Sequence, residues 1–265
     1  KSLSGYHLID GNLVPAVSGK TFSVLNPATM EEMGRAAEGD AQDVDIAVAA
    51  AKRAQKEWAK MSARKRGKLI IECGRILEAH AEELGLLVAL ESGKALRTES
   101  AVEASILADS FTYFGGLASE LKGETIPFST DILTMTLREP VGVVGAIIPW
   151  NVPMYLMALK IAPALVAGNG VVVKSAEEAP LCCLRVCQLI DQILPSGLLN
   201  ILSGYGPPCG GPLAEHPDVS KVTFTGSVET GRIVYAAASK KLVPVTLELG
   251  GKSPMIVMED ADLDE

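Results

Sequence analysis

The chain has no apolar run of membrane-spanning length, no surplus of basic residues and only three histidines. Each shortage closes a class of function. A transmembrane helix needs about 20 consecutive apolar residues, so no membrane partner is expected. Against 24 Lys and Arg stand 32 Asp and Glu, a net charge of −8. Binding a phosphate backbone requires clustered positive charge, so no nucleic-acid partner is expected either. The one dense basic run, Arg64-Lys65-Arg66 with Lys68, falls on a predicted helix and reads as a solvated face. His7, His80 and His216 are scattered and supply no ligand set at metal spacing, so no metal is expected. The polar start Lys1-Ser2-Leu3-Ser4-Gly5 is not a signal peptide. Five cysteines, Cys73, Cys182, Cys183, Cys187 and Cys209, form an odd set that points to reduced thiols and a cytoplasmic location. Cys183 and Cys187 lie one helical turn apart and could present two thiolates on one face. Buried structural thiols are the plainer expectation.

What is present is ordinary globular composition: 265 residues, 48% hydrophobic and 21% charged, enough for one large α/β domain or two smaller ones. Residues 6–26 carry β-prone pieces cut by Gly11, Pro15 and Gly19, as one or two hairpins on the edge of something larger would. A helix is predicted from Asp40 as N-cap, with Val44, Val48, Ala51 and Trp58 on one face. A second starts near Ser62 with Leu69, Cys73, Ile76 and His80 inward. A third runs from Ala81 to a stop at Gly93. A fourth covers 98–121 with Val102, Ile106 and Phe114 in its apolar stripe. Between Gly123 and Pro140 the alternation Ile132-Leu133-Thr134-Met135-Thr136-Leu137 predicts an extended ribbon, either a subunit contact or a hairpin packed on its own domain. From Pro140 onward apolar strands alternate with helices. That pattern is a doubly wound, mainly parallel sheet, in which ligands bind beyond the carboxyl ends of the strands.

Four of those strand ends carry unusual residues. Asn151, after Pro149-Trp150, could donate its amide to a developing oxyanion, or serve as a turn residue. Lys174 and Glu177 could meet a ribose or phosphate, or be solvated loop charges. Gly204-Tyr205-Gly206 and Thr225-Gly226-Ser227 could admit a pyrophosphate, with Ser227 opening a helix, although neither matches G-x-G-x-x-G and each could be a simple turn. Glu248, between Leu247 and Leu249, is either a strand end that reaches water or a carboxylate in an apolar cleft with the raised pKa of a general base.

Taken together, Pro149-Trp150-Asn151, Lys174, Phe224-Thr225-Gly226-Ser227 and Leu247-Glu248-Leu249-Gly250-Gly251-Lys252-Ser253-Pro254 closely resemble the aldehyde dehydrogenase superfamily, in the family's order and over essentially the whole chain. The resemblance implies a Rossmann-like, five-stranded cofactor domain formed by residues 1–122 and 141–265, with 123–140 as an oligomerisation ribbon of a homodimer or homotetramer. It implies NAD as cofactor and an aldehyde as substrate. Asn151 would be the oxyanion amide, Glu248 the base that activates water, and Lys160 a lysine associated with proton movement. Ile147, Ile148, Pro149, Trp150, Thr225, Gly226 and Ser227 would line the pyrophosphate and nicotinamide side. Lys174 and Glu177 would hold the adenosine ribose, Gly206 and Pro207 would lie near the adenine, and Leu249 and Gly250 beside the nicotinamide. A carboxylate at Glu177 would repel a 2′-phosphate and favour NAD, although Lys174 leaves NADP possible. Val152, Tyr155, Leu156 and Leu159 match the walls of the family's aldehyde tunnel, and their lack of charge suggests a neutral aldehyde.

In one respect the chain departs from the family. The nucleophilic cysteine lies C-terminal to the Glu248 motif, in a catalytic domain, and none of the five cysteines occupies that position. Without a thiolate no thioester forms. The expectation is therefore the cofactor half of a longer enzyme, inactive on its own. A free-standing, non-catalytic nucleotide-binding module is the alternative.

Overall fold

A computed structural model describes residues 4–262. The polar start at Lys1-Ser2-Leu3 and the end at Glu265 lie outside the described residues. Strands β1 (His7–Ile9) and β2 (Asn12–Val14) form a tight hairpin. Its two-residue turn, Asp10-Gly11, has φ of 52° and 74°, the mirror-image turn whose twist matches that of the flanking strands. A second hairpin, β3 (Thr21–Leu25) with β4 (Glu32–Ala37), stands apart as its own sheet.

Helix α1 (Ala41–Lys60) begins at the expected Asp40, whose carboxylate accepts from Gln42 N–H, while Asp43 accepts from Asp40 N–H. Val44, Val48, Ala51 and Trp58 are all buried, and the Trp58 indole N–H donates to Leu165 O at 2.7 Å. Helices α2 (Ala63–Ala79) and α3 (Ala81–Ser92) follow, the latter ended by Gly93 at φ 72°. On α2 the inner face is rotated from the expected one. Arg66, Ile70, Cys73 and Leu77 are buried, whereas Leu69, Ile76 and His80 are only half-buried. Arg66 therefore leaves the solvated basic face that Arg64, Lys65 and Lys68 keep. It donates to Val166 O at 2.9 Å and to Met61 O, carbonyls left open at two helix ends.

A π-turn over Leu96–Ser100 precedes α4 (Ala101–Gly116), so this helix starts later than predicted. Its buried stripe is Glu103, Ala104, Leu107, Ala108 and Phe111. Val102 and Ile106 are exposed and Phe114 half-buried, because the first two face a cleft rather than the core. Helices α2 and α4 touch through glycines, where a Cβ on Gly67 would lie 2.5 Å from Gly115 O. The ribbon follows as β5 (Thr125–Ser129) and β6 (Ile132–Met135), a separate antiparallel pair with Phe128 72% and Leu133 71% exposed.

The remainder is β7 (Val143–Ile147), α5 (Pro153–Val166), β8 (Gly170–Lys174), α6 (Pro180–Asp191), β9 (Leu199–Leu202), α7 (Gly211–Glu215), β10 (Val219–Gly226), α8 (Val228–Ser239) and β11 (Val245–Leu249). Strand order is β11-β10-β7-β8-β9-β1-β2. The first five strands are parallel, as expected, and the β1–β2 hairpin extends them antiparallel to a sheet of seven. Every residue of β7, β8 and β9 is buried. Strand alternation sends Val171 and Val173 into one core with α2, α4, α5 and α6, and Val172 into the other with α1, α7 and α8. The chain adds β8 and β9 on one side of β7, then returns to add β10 and β11 on the other. That reversal opens a crevice between the ends of β7 and β10.

Candidate active site and cofactor cleft

A cleft of about 830 Å³ opens at this edge. It gathers Ile147, Ile148, Pro149 and Trp150 at the end of β7, Lys174 and Glu177 at the end of β8, Gly206 and Pro207 after β9, and Thr225, Gly226 and Ser227 at the end of β10. Lys174 is buried and its ammonium contacts Glu177 Oε2 at 2.8 Å, while Glu177 is half-exposed. A Cβ on Gly206 would meet nothing within 4 Å, so this turn is open to a flat ligand. Glu178, Thr230, Ile233, Val234 and Lys240 also line the cleft and were not anticipated. Thr230, Ile233, Val234 and Ala237 recur at helical spacing along α8, a stripe that the sequence carried but that read as a connecting helix.

Four helices start along this edge, and the first-turn N–H groups of the three longer ones, α5, α6 and α8, differ in occupancy. Met154 and Tyr155 of α5 donate to Glu103 Oε1 at 2.8 and 3.3 Å. Leu181 and Cys182 of α6 donate to Glu91 at 2.6 and 2.9 Å. Both carboxylates are buried, at 3% exposure each. The start of α8 holds only its own cap, Ser227 Oγ accepting from Thr230 N–H at 3.1 Å. An anion at this edge is thus best received at Ser227, where no first-turn N–H is already bonded to a protein carboxylate, although Glu229 stands in the same turn.

A second cleft, of about 370 Å³, is lined by Lys94, Glu99, Val102, Glu103, Ile106, Asn151, Val152 and Tyr155. Asn151 is exposed there, apart from the larger cleft. Of the expected tunnel residues, Val152 and Tyr155 line this cleft and Leu156 and Leu159 do not. Its wall is not charge-free, since Lys94 pairs with Glu103 and Glu99 is exposed.

Lys160, 8% exposed on α5, donates to Thr225 Oγ1 at 2.7 Å and to Thr223 Oγ1 at 3.3 Å. Burial pushes its pKa down to about 8, and the charge of Glu248 pulls it back up. Glu248 is the register partner of Thr225 across β10 and β11, so the residue that Lys160 bonds is also the cross-strand neighbour of Glu248. Thr223 was not anticipated, although Thr223 and Thr225 stand at alternate positions of one strand. Glu248, Leu249 and Gly250 are exposed and line neither cleft, which corrects the apolar-cleft reading of Glu248. The reason is topological: among the described residues β11 has β10 as its only strand neighbour and ends the sheet.

All five cysteines are buried and unpaired, and none lines either cleft. Burial pushes the thiols of Cys73 and Cys209 up to about 12, and those of Cys182 and Cys187 upward as well. Such thiols are packing groups rather than nucleophiles.

A doubly wound parallel sheet with a large cleft at its switch point is a nucleotide-binding architecture. The chain belongs to the aldehyde dehydrogenase family, whose sequence model matches residues 13–265. It is 47% identical over 262 residues to the mitochondrial benzaldehyde dehydrogenase of Antirrhinum majus, covering 97% of this chain and 49% of that protein. Identity to the mitochondrial aldehyde dehydrogenase of Homo sapiens is 45% over 254 residues, 94% of this chain and 49% of the relative. The NAD+ complex of aldehyde dehydrogenase from Bacillus cereus superposes with a TM-score of 0.95 at 40% identity, over 98% of this chain and 54% of that one. The chain spans about half the length of the curated relatives it matches. Among the described residues no helix is long and apolar enough to cross a membrane.

Proposed function

We propose that this chain is the cofactor-binding part of an NAD-dependent aldehyde dehydrogenase that converts an aldehyde to a carboxylic acid through a cysteine thioester. The observation that carries the reading is the switch-point cleft, with α8 as the helix start open to an anion and with Thr225 of its wall bonded by Lys160. When bound, NAD supplies the hydride acceptor. The residues present fit it. Ser227 and the first N–H groups of α8 would receive the pyrophosphate, and Lys174 with Glu177 the adenosine ribose. Gly206 and Pro207 would flank the adenine. Ile147, Ile148, Pro149, Trp150, Thr225 and Gly226 would wall the nicotinamide side, with Leu249 and Gly250 beside it.

Asn151 would donate to the oxyanion that forms on the substrate carbonyl, and Glu248 would take a proton from the hydrolytic water. Lys160 would move that proton onward, a role supported by its hydrogen bond to Thr225. The thiolate would come from outside these 265 residues, because the five cysteines are buried away from both clefts. Residues 123–140 would form an oligomerisation ribbon of a homodimer or homotetramer, and residues 1–122 with 141–265 the cofactor domain. Five unpaired thiols fit a cytoplasmic setting. A neutral aliphatic or aromatic aldehyde fits Val152 and Tyr155, the tunnel residues that line the second cleft.

The test is direct. The protein that carries this chain should reduce NAD when given acetaldehyde or benzaldehyde, read by NADH absorbance, and calorimetry should detect NAD binding. Binding without turnover, in a protein that contains a cysteine in the family's position, would sink the reading in favour of a non-catalytic module.

A further inference from the structure

Val152, at the cap position of α5, has no side chain able to satisfy the first-turn N–H groups, and Pro153 has no N–H to satisfy. The carboxylate that meets Met154 and Tyr155 instead comes from Glu103, 51 residues earlier on a different helix. Its other oxygen is held by Lys94, whose side chain is 15% exposed. Lys94 reaches it because Gly93 ends α3 in a left-handed turn, and the π-turn that follows leads the chain into α4. A buried ion pair thereby serves one helix start, which begins two residues after Asn151, and the pair lines the same cleft as Asn151.

We propose that Glu103, paired with Lys94, is the positioning residue for Asn151: it fixes the first turn of α5, and so the direction of the amide beside it. The proposal rests on the oxyanion role assigned to Asn151 above. The pair does not touch the cofactor cleft, so its effect is confined to the acyl chemistry and spares NAD affinity. It also explains why a helix start that would otherwise invite a phosphate leaves that task to α8.

The test has two arms on the complete protein. In the first, amide hydrogen exchange at Met154 and Tyr155 should accelerate in Glu103→Gln. In the second, kcat/KM for benzaldehyde should fall roughly tenfold in Glu103→Gln and on the order of 100-fold in Asn151→Ala. Glu103→Gln added to Asn151→Ala should cost less than about twofold more, since the pair acts through the missing amide. Glu103→Asp, which keeps the charge facing Lys94 but shortens the reach, should fall between, and carries the test if the Gln variant does not fold. Unchanged exchange at Met154 and Tyr155 overturns the proposal. So does the same fold-loss with and without Asn151, which would make Glu103 a general support. A wild-type protein without aldehyde turnover would defeat the functional reading instead, and the exchange arm would still decide whether Glu103 holds the helix start.

Discussion

In the proposed cofactor site, Glu177 and Lys174 are the pair on which the choice between NAD and NADP would turn. Held at 2.8 Å, each partly neutralises the other, so the carboxylate opposes a 2′-phosphate less than an isolated one would. Glu177→Gln should free Lys174 and raise NADP affinity relative to NAD by roughly tenfold, read by calorimetric titration with each dinucleotide. Tighter NADP binding by the unaltered protein would overturn the assignment. Glu248→Gln should abolish most steady-state turnover while leaving the first acyl transfer, seen as a burst of NADH without continued production. Lys160 predicts the shape of the pH profile. Below about 8 its amine is protonated, and above that it can accept a proton through Thr225, so hydrolytic turnover should rise through about pH 8. Lys160→Met should flatten that limb, and an unchanged limb would remove the lysine from the proton path.

Helix starts and helix contacts make a second set of predictions. Glu91 caps α6 with no cation beside it, and burial pushes its carboxyl up to about 7 from 4.5. A carboxyl raised in the folded state favours folding when protonated. Its contribution is therefore full below pH 4.5 and is lost as pH rises through 7, on the order of 3 kcal/mol in all. His7 runs the other way, its pKa pushed down to about 4 by burial, so its contribution is lost as pH falls below 6.5. The difference between wild type and Glu91→Gln in urea unfolding isolates the first effect, and should change between pH 5 and pH 8. A pH-independent difference would mean Glu91 is ionised throughout. At the α2–α4 contact, Gly67→Ala would drive a methyl to within 2.5 Å of the Ala118 Cβ and Gly115 O, costing about 1–3 kcal/mol by the same assay.

These elements also mark how far the sequence could be read. Asn151, Lys174, Glu177 and Ser227 were legible because apolar strands announce their ends, and a parallel sheet puts those ends on one edge. The capping of α1 by Asp40 was legible because cap and helix are adjacent. Glu91, Glu103 and Arg66 were not. Their partners are backbone groups 90, 51 and 100 residues away, and a charged residue on an amphipathic helix reads as solvated. The face of α4 failed for a related reason: Val102 and Ile106 are apolar because they line a cleft, and hydropathy does not distinguish a cleft wall from a core. Glu248 was placed correctly on its strand, but its exposure depends on β11 being last in the sheet, which local pattern does not encode.

For the molecule as a whole, the ribbon is a conspicuous apolar surface, with Phe128, Leu133 and Leu137 all more than two-thirds exposed. Apolar exposure of that extent is expected to be covered by another chain. Replacing Leu133 with Glu should shift the complete protein to a smaller species by analytical ultracentrifugation, and an unchanged mass would remove the ribbon from the subunit contact. The opposite side of the sheet carries a consequence of another kind. Strand β1 reaches its place only by pairing Leu8 with Ile201, late in the chain. On the ribosome, His7–Ile9 has no strand beyond its own hairpin to join until β9 has emerged. Until the residues of β9 appear the nascent chain therefore carries a strand waiting for its neighbour, and this edge of the sheet cannot close before about 200 residues have been made.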